Sequence, residues 1–394
     1  IFVRTIKTRV NATSININRL NHLLKLYKLS NKDLLSILNQ GRKRSVSEKD
    51  VFGDQIKISL LKKIDELFNK GLSYYIDPKD PKELKEESIF FRKDKFNAEL
   101  SFGAKQIVTH FEEENIAFSA LSKLVDFEIN RKLPFYSISN DPQIVAQEIR
   151  KILYPGFNKD RRTFLKSLIN KFSEHKILVF EFIETWNKKE KANINGFYLT
   201  PNTIVLKRQK SYRREIFTLI HELGHYLLNI EEIDEKVGDD YTTYEGLDKI
   251  EKWCNDFAYY FLVGDMNSTI LKMDRASASN DYQHELVKQI SEKTNLSEYA
   301  LFTRLRIIDK ISYSDYQLVK AEFEEKYHEN EEKIKHQREL DKLEEKKGKG
   351  RAAKPIYSPL YINTMQSALI EGVIGENEFC RRLNVKPENI YKYL

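Results

Sequence analysis

The feature that most constrains this chain is an H-E-x-x-H motif at residues 221–225, inside an apolar stretch from Phe217 to Leu228. Residues four positions apart lie on one face of an α-helix, so His221 and His225 can present two imidazole nitrogens to one metal ion. Glu222 follows the first histidine and is predicted to accept a proton from the attacking water. The alternative is a buried helix whose two histidines are hydrogen-bonded core residues.

Gly224 lies inside this predicted helix, although glycine costs about 1 kcal/mol relative to alanine in a helix interior. The apolar positions Phe217, Ile220, Gly224 and Leu228 recur at spacings of three, four and four residues. This periodicity predicts a helix that is buried along one side. We therefore expect a neighbouring helix or strand to pack tightly against Gly224, next to the metal site.

A third metal ligand is needed, because catalytic zinc has three protein ligands and one open position. Glu251 begins the apolar face of a second predicted helix, which continues with Cys254, Ala258 and Phe261. A carboxylate on such a face is unfavourable unless it is paired or bound to a metal. Glu251 is therefore the preferred third ligand.

Other interpretations of these residues stay open at this point. His284 in a polar helix and Glu245 in a loop are alternative ligands, and Glu251 could be an ordinary carboxylate stabilised by the helix dipole. Asn255, one turn after Glu251, and Tyr226 are candidates for orienting a ligand. The donor that would stabilise an oxyanion is undecided among three tyrosines close in sequence: Tyr226, Tyr241 and Tyr244.

Short strands are predicted immediately before the motif, at residues 177–182, 197–199 and 203–206, with turns at Asn195-Gly196 and Pro201-Asn202. A small sheet that leads into the metal-binding helix is typical of zincin-type sites, and an edge strand there can hold a peptide by strand addition. Helical periodicity dominates elsewhere. The predicted fold is mainly α with a small β-sheet (α+β), a zincin-like metallopeptidase core flanked by helical N- and C-terminal domains.

Composition and periodicity divide the chain into five predicted segments. These are a small, basic, helix-turn-helix-like domain (1–76), a linker (77–94), a zincin-like metallopeptidase domain (95–310), a charged helix with a hinge (311–352) and a small C-terminal helical module (353–394). The C-terminal module has a helix pair that is compatible with a second helix-turn-helix or with docking onto the main body.

The net charge of +7 is concentrated at the N-terminus, because residues 1–52 contain 11 basic and 3 acidic residues. Such asymmetry favours a polyanionic partner such as DNA, although a basic surface without a partner explains it equally well. A second hypothesis is therefore a DNA-binding transcriptional regulator whose protease-like domain serves mainly in partner recognition.

The remaining composition favours a cytoplasmic protein without a membrane partner. The sequence contains two cysteines, Cys254 and Cys380, far apart, which excludes a disulfide framework and a C-x-x-C metal site. It has no signal peptide and no apolar run near the roughly 18 residues that a membrane helix needs.

Residues 196–264 resemble the ImmA/IrrE family of bacterial and phage-associated metallopeptidases. The resemblance rests on Gly196–Leu199, on Arg213–Leu228 with the H-E-x-x-H motif, and on Glu251–Ala258. It implies a Zn²⁺ cofactor, Glu222 as general base and three zinc ligands: His221, His225 and Glu251.

The resemblance extends weakly to the N-terminus. Leu61–Tyr75 and Phe90–Arg92 are similar to long family members that carry an Xre-type helix-turn-helix, which is degenerate here. Members of the family characteristically cleave a partner transcription repressor and so release genes for stress response or mobile-element transfer. The resemblance therefore implies a zinc endopeptidase with a helix-turn-helix repressor as substrate; a phage-defence protease is equally compatible with the sequence.

Overall fold

The computed structural model describes residues 12–81, 100–343 and 354–393, apart from residues 28, 41, 43, 69, 128, 185–190, 232 and 235–240. The chain forms two compact units, Ile1–His110 and Phe111–Leu394. Helices predominate and the strands form small sheets, so the predicted α+β class is confirmed. Within the described ranges, no helix has both the length and the apolar character that crossing a membrane requires.

In its described residues, the N-terminal unit contains a two-stranded sheet and five short helices before α6 (Phe102–Leu124). The helices are α1 (Ile17–Leu26), α2 (Asn31–Asn39), α3 (Glu48–Phe52), α4 (Ile58–Phe68) and α5 (Leu72–Ile76). Strand β1 (Ala12–Thr13) pairs antiparallel with β2 (Ile56–Lys57), and α4 begins directly after β2, at Ile58. Ser30 is the N-cap of α2 and forms a reciprocal capping box with Asp33.

The core of this unit is formed by apolar residues from all five helices, among them Leu20, Leu34, Val51, Ile64 and Tyr75. Arg42 and Arg44, two of the basic residues of the segment 1–52, lie between α2 and α3. The helix-turn-helix assignment and DNA binding by this unit stay predictions, as do the boundaries of the five predicted segments.

The second unit contains the larger sheet and the segments on which the sequence motifs lie. In chain order its elements are α6 (Phe102–Leu124, which begins in the first unit), α7 (Pro142–Leu153), α8 (Arg161–Glu174), β3 (Leu178–Phe182), β4 (Gly196–Leu199), β5 (Thr203–Lys207), α9 (Tyr212–Leu228), β6 (Ile233–Asp234), α10 (Tyr241–Gly246), α11 (Lys249–Val263), α12 (Asn267–Lys272), α13 (His284–Lys293), α14 (Glu298–Ile307), α15 (Tyr313–Leu343), α16 (Pro359–Ile370) and α17 (Glu376–Arg382).

The larger sheet has the strand order β3–β5–β4–β6. Strand β3 runs parallel to β5, whereas β4 is antiparallel to both β5 and β6. The three strands predicted before the H-E-x-x-H motif are thus confirmed, but β4 begins at Gly196, which was expected in a turn. Gly196 pairs with Leu206 on one side and with Asp234 on the other. Peptide binding by strand addition stays a prediction.

Helix α9 packs on this sheet and forms the centre of the unit's core. It contacts β4 and β5 on one side and the helices α8 and α11 on others, while α11 also packs against α7. From Thr218 to Leu228 every side chain of α9 is buried. A helix enclosed in this way holds the histidines of the motif in fixed positions.

The C-terminal helices dock onto the main body of the second unit, one of the two alternatives that the sequence left open. Tyr357 forms an antiparallel bridge with Phe180 at the outer edge of β3, and the ring of Tyr361 lies 5.1 Å from the ring of Phe180. Arg382 donates to Glu114 at 2.8 Å. These contacts bury an edge strand that would otherwise expose unpaired backbone groups.

A buried charge cluster anchors this docking. The carboxylate of Glu181 on β3 accepts a hydrogen bond from the backbone amide of Ile356 and forms an ion pair with Arg208. Glu215 on α9 lies 3.5 Å from Arg208. Burial and the adjacent Glu181 raise the pKa of Glu215 to about 9, so Glu215 is protonated at neutral pH and one arginine balances one carboxylate.

Helix α15 confirms the prediction of a solvated, charged helix. Its first turns are buried at Tyr316 and Val319, but residues 324–337 are exposed. Pairs four residues apart, such as Lys333 with Glu329 at 3.5 Å, line its surface. Exposed pairs of this kind contribute only about 0.3–0.5 kcal/mol each. The predicted hinge at residues 348–350 lies outside the described residues.

Candidate metal centre and adjoining cavity

Helices α9 and α11 bring the three predicted ligands together. The Nε2 atoms of His221 and His225 are 3.1 Å apart. Glu251 places Oε2 at 3.2 Å from the Nε2 atom of His221 and Oε1 at 3.3 Å from that of His225. All three side chains are buried, and they form a cluster that could hold a metal ion.

The position of Glu251 follows from the way α11 begins. Asp248 is the N-cap, and its carboxylate accepts hydrogen bonds from the backbone amides of Ile250 and Glu251. Burial alone would raise the pKa of Glu251, but the imidazoles of His225 and His221 outweigh it and hold the pKa well below the usual range. The carboxylate is therefore charged and faces the two histidines.

The close approach predicted at Gly224 is confirmed. A Cβ atom at Gly224 would lie 3.0 Å from Sγ and 3.2 Å from Cα of Cys254 on α11. The missing side chain thus lets α11 pack directly on α9, and this contact sets the distance between the histidines and Glu251.

The Gly224→Val variant is expected to be less stable by about 1–3 kcal/mol, because the new methyl groups would overlap the backbone of α11. The gain in helix propensity, below about 1 kcal/mol, does not compensate. Urea unfolding of the metal-free protein measures the difference. Gly246→Val is the matched control, because a Cβ atom at Gly246 meets no atom within 4 Å. Equal stability of the two variants would contradict the close packing of α11 against Gly224.

Glu222, the predicted general base, is fully buried beside the sheet. A Cβ atom at Gly196 of β4 would lie 3.0 Å from Oε1 of Glu222 and 2.9 Å from the methyl group of Thr218. Gly196 therefore leaves room for the carboxylate, a role that the sequence pattern did not reveal.

The two alternative ligands lie in other contacts. His284 pairs with Glu322 at 3.3 Å and packs on the ring of Phe302. Glu245 is exposed. Neither belongs to the metal-binding group found among the described residues, which contains only the two histidines of the motif and Glu251.

The candidate tyrosines have different surroundings. The ring of Tyr226 is buried against Arg131, whose guanidinium lies 3.8 Å from the ring centre, and against Tyr198. Tyr244 donates to Oδ2 of Asp256 at 3.1 Å. The side chain of Tyr241 lies outside the described residues. The residue that would stabilise an oxyanion and the roles of Tyr226 and Asn255 in orienting a ligand stay predictions.

A partly open cavity of about 220 Å³ lies one helical turn from the cluster, between α9, α11 and α14. Asn255, one turn after Glu251, lines it together with Phe217, one turn before His221. Its other lining residues include Arg213, Asn295 and Arg304, and the sequence assigned no site role to any of the three. No periodic pattern connects these positions, because their proximity arises only when α14 packs beside α9 and α11.

Comparison with known proteins identifies a region but not a close relative. No curated protein and no solved structure shows a significant match. Residues 172–306 match the family model described as Peptidase M78, IrrE N-terminal-like domain. This region is less than half of the chain, yet it contains the sheet strands β3, β4 and β5, the H-E-x-x-H helix and Glu251. The match supports the resemblance to the ImmA/IrrE family in this region, which is therefore metallopeptidase-like.

Proposed function

We propose that this protein is a zinc-dependent endopeptidase with His221, His225 and Glu251 as the metal ligands. The observation that carries the proposal is the separation of the three ligand atoms, 3.1–3.3 Å. Ligands at 2.0–2.1 Å from a tetrahedral zinc ion are about 3.3 Å apart. Two imidazoles, one carboxylate and an open fourth position are also a donor set of known catalytic zinc sites.

Zinc at such a site would supply a water of lowered pKa and a Lewis acid that polarises the peptide carbonyl. Glu222 follows the first ligand on α9, and its carboxylate is the general base that accepts the proton of the attacking water. The same carboxyl group then returns the proton to the leaving amine nitrogen. The buried surroundings of Glu222 exclude bulk solvent from this transfer.

The proposed substrate is a partner protein, in the first place a helix-turn-helix transcription repressor. This part of the proposal rests on the resemblance to the ImmA/IrrE family and on the family match at residues 172–306. Cleavage of such a repressor would serve stress response, mobile-element transfer or phage defence in the cytoplasm.

Metal removal and restoration test the proposed function. The full chain is expected to bind about one zinc ion and to cleave a helix-turn-helix repressor encoded beside its own gene. Dialysis against 1,10-phenanthroline should abolish cleavage, and stoichiometric zinc should restore it. Cleavage by metal-free protein would contradict the proposal. So would a zinc-loaded protein that leaves both this repressor and a proteome-derived peptide mixture intact.

DNA binding by the N-terminal unit is a second candidate function, supported by the excess of basic over acidic residues in 1–52. If it occurs, the affinity for duplex DNA should fall steeply with salt and should be lost when these residues are deleted. Unchanged binding after the deletion, or no binding at low salt, would reject it.

A further inference from the structure

The cavity lies beside the metal centre, along the same faces of α9 and α11 that carry the proposed metal ligands. On α9, Phe217 lies one turn before His221. On α11, Asn255 and Tyr259 follow Glu251 by one and two turns and also line the cavity. A peptide with a bond at the metal centre would therefore have a neighbouring side chain within reach of this space.

Two buried amide groups line the cavity without partners. Asn255 is 5% exposed and Asn295 is 1% exposed. Among the described residues, neither the amide nitrogen nor the amide oxygen of either side chain has a hydrogen-bond partner. Leaving such groups unpaired in the interior is unfavourable. Two unpaired amide groups in one cavity therefore indicate that a polar ligand binds there.

The charge of that ligand is indicated by Arg213, which also lines the cavity. Its guanidinium donates to the backbone oxygen of Ser291 at 2.9 Å, whereas its buried Nε has no partner among the described residues. No described carboxylate forms a salt bridge with it, although Glu298 and Glu292 act on it at longer range. A positive charge in these surroundings favours an anionic ligand.

Arg304, another arginine of the lining, is already neutralised. Arg304 donates to Oδ1 of Asp256 at 2.6 Å and to the hydroxyl of Tyr260. The other oxygen of Asp256 accepts from Tyr244. The described polar groups of the lining that are buried without a partner are thus the amides of Asn255 and Asn295 and the Nε–H group of Arg213. Together they suit a carboxylate.

We propose that this cavity is the specificity pocket of the peptidase and binds an acidic side chain of the substrate close to the cleaved bond. The apolar walls, which include Phe217, Leu296 and Ile307, suit the methylene stem of a glutamate. A volume of about 220 Å³ is below the roughly 300–1,000 Å³ of small-molecule sites and suits a single side chain. This inference rests on the proposed function, and its test separates the two.

Cleavage of a proteome-derived peptide mixture by the zinc-loaded chain is the first arm of the test. The cleaved bonds are expected to have glutamate or aspartate enriched at one fixed position. For matched synthetic peptides, Arg213→Gln should lower the ratio of kcat/KM for the acidic peptide to that for its glutamine counterpart at least tenfold. Arg381→Gln is the control for the charge change, because Arg381 is 76% exposed on α17 and should leave the ratio unchanged.

Asn295→Leu distinguishes a binding role of the amide from a structural one. Because the substitution replaces an unpaired buried amide by an apolar group of similar size, the Tm should rise while the acidic preference falls. An amide with a structural role would instead lower the Tm when it is removed. Cleavage without acidic enrichment, or an acidic preference that Arg213→Gln leaves intact, would overturn the proposal while the proposed peptidase function stands.

Binding is the second arm and does not depend on turnover. The zinc-loaded Glu222→Gln chain is titrated with N-acetyl-glutamate methylamide and with N-acetyl-lysine methylamide, and binding is followed by NMR. The glutamate derivative should bind at least tenfold more tightly, and the advantage should vanish in an added Arg213→Gln substitution. Equal binding of the two derivatives would overturn the pocket assignment. If the wild type cleaves no peptide, the peptidase proposal fails, and this arm alone decides the chemistry of the cavity.

Discussion

The Glu222→Gln variant is expected to bind zinc as tightly as the wild type and to cleave its substrate at least about 100- to 10,000-fold more slowly. This range is the usual contribution of a general base. Glutamine has nearly the same shape as glutamate, so it fits beside Gly196 without displacing α9. It cannot accept the proton of the attacking water, which removes the proposed catalytic step and leaves the ligands in place.

Metal analysis and single-turnover cleavage of the same preparations measure the two effects separately. Glu174→Gln is the matched control, because its carboxylate is exposed at the end of α8. Undiminished cleavage by Glu222→Gln would reject Glu222 as the base. Loss of zinc from this variant would show that Glu222 is a metal ligand rather than the general base.

The Glu251→Gln variant is expected to show the opposite pattern, with loss of the metal as the primary effect. The substitution removes the negative charge that faces the two imidazoles at 3.2 and 3.3 Å. Mutating a residue that hydrogen-bonds to a metal ligand typically lowers metal affinity about 10- to 100-fold. Removing the charge of Glu251, which is itself a proposed ligand, should therefore lower the zinc affinity by at least about 100-fold. Activity should fall in proportion to zinc content at limiting metal.

Competition with a chromophoric zinc chelator measures this affinity, and excess zinc should restore part of the cleavage. An unchanged zinc affinity in Glu251→Gln would mean that the carboxylate belongs to the fold and not to the metal centre. The two isosteric substitutions, Glu222→Gln and Glu251→Gln, thus distinguish the buried carboxylate that accepts the proton from the buried carboxylate that binds the metal.

The geometry of the metal cluster was predictable because the residue spacing within each helix shows which side chains lie on one face. The spacing of His221 and His225 follows from helix periodicity, and Glu251 stands out as a charge on an apolar face. Gly224 was predictable as a close approach, because a glycine inside an apolar helix is unfavourable without such a reason. The sequence did not identify Cys254 as the residue that packs against it.

The cavity was not predictable, since its residues have no common pattern in the sequence. Asn295 lies in the connection between α13 and α14, Arg213 lies in the first turn of α9, and tertiary packing alone places both at one cavity. Gly196 was misplaced for a related reason. An Asn-Gly pair favours a turn locally, but pairing with Leu206 and Asp234 makes the glycine part of β4.

The docking of the C-terminal helices was also left undecided by sequence. An amphipathic helix pair shows the same periodicity whether it packs on itself, on DNA or on the body of the protein. The decisive contacts, from Ile356 to Glu181 and from Arg382 to Glu114, connect residues far apart in the chain.

Anomalous X-ray diffraction from zinc-loaded crystals of the full chain, recorded on both sides of the zinc absorption edge, tests the central claim most directly. The predicted result is one strong peak about 2.0–2.2 Å from Nε2 of His221, Nε2 of His225 and a carboxylate oxygen of Glu251. An active, zinc-loaded protein whose peak lies elsewhere, or whose Glu251 carboxylate is beyond coordination distance, would contradict it.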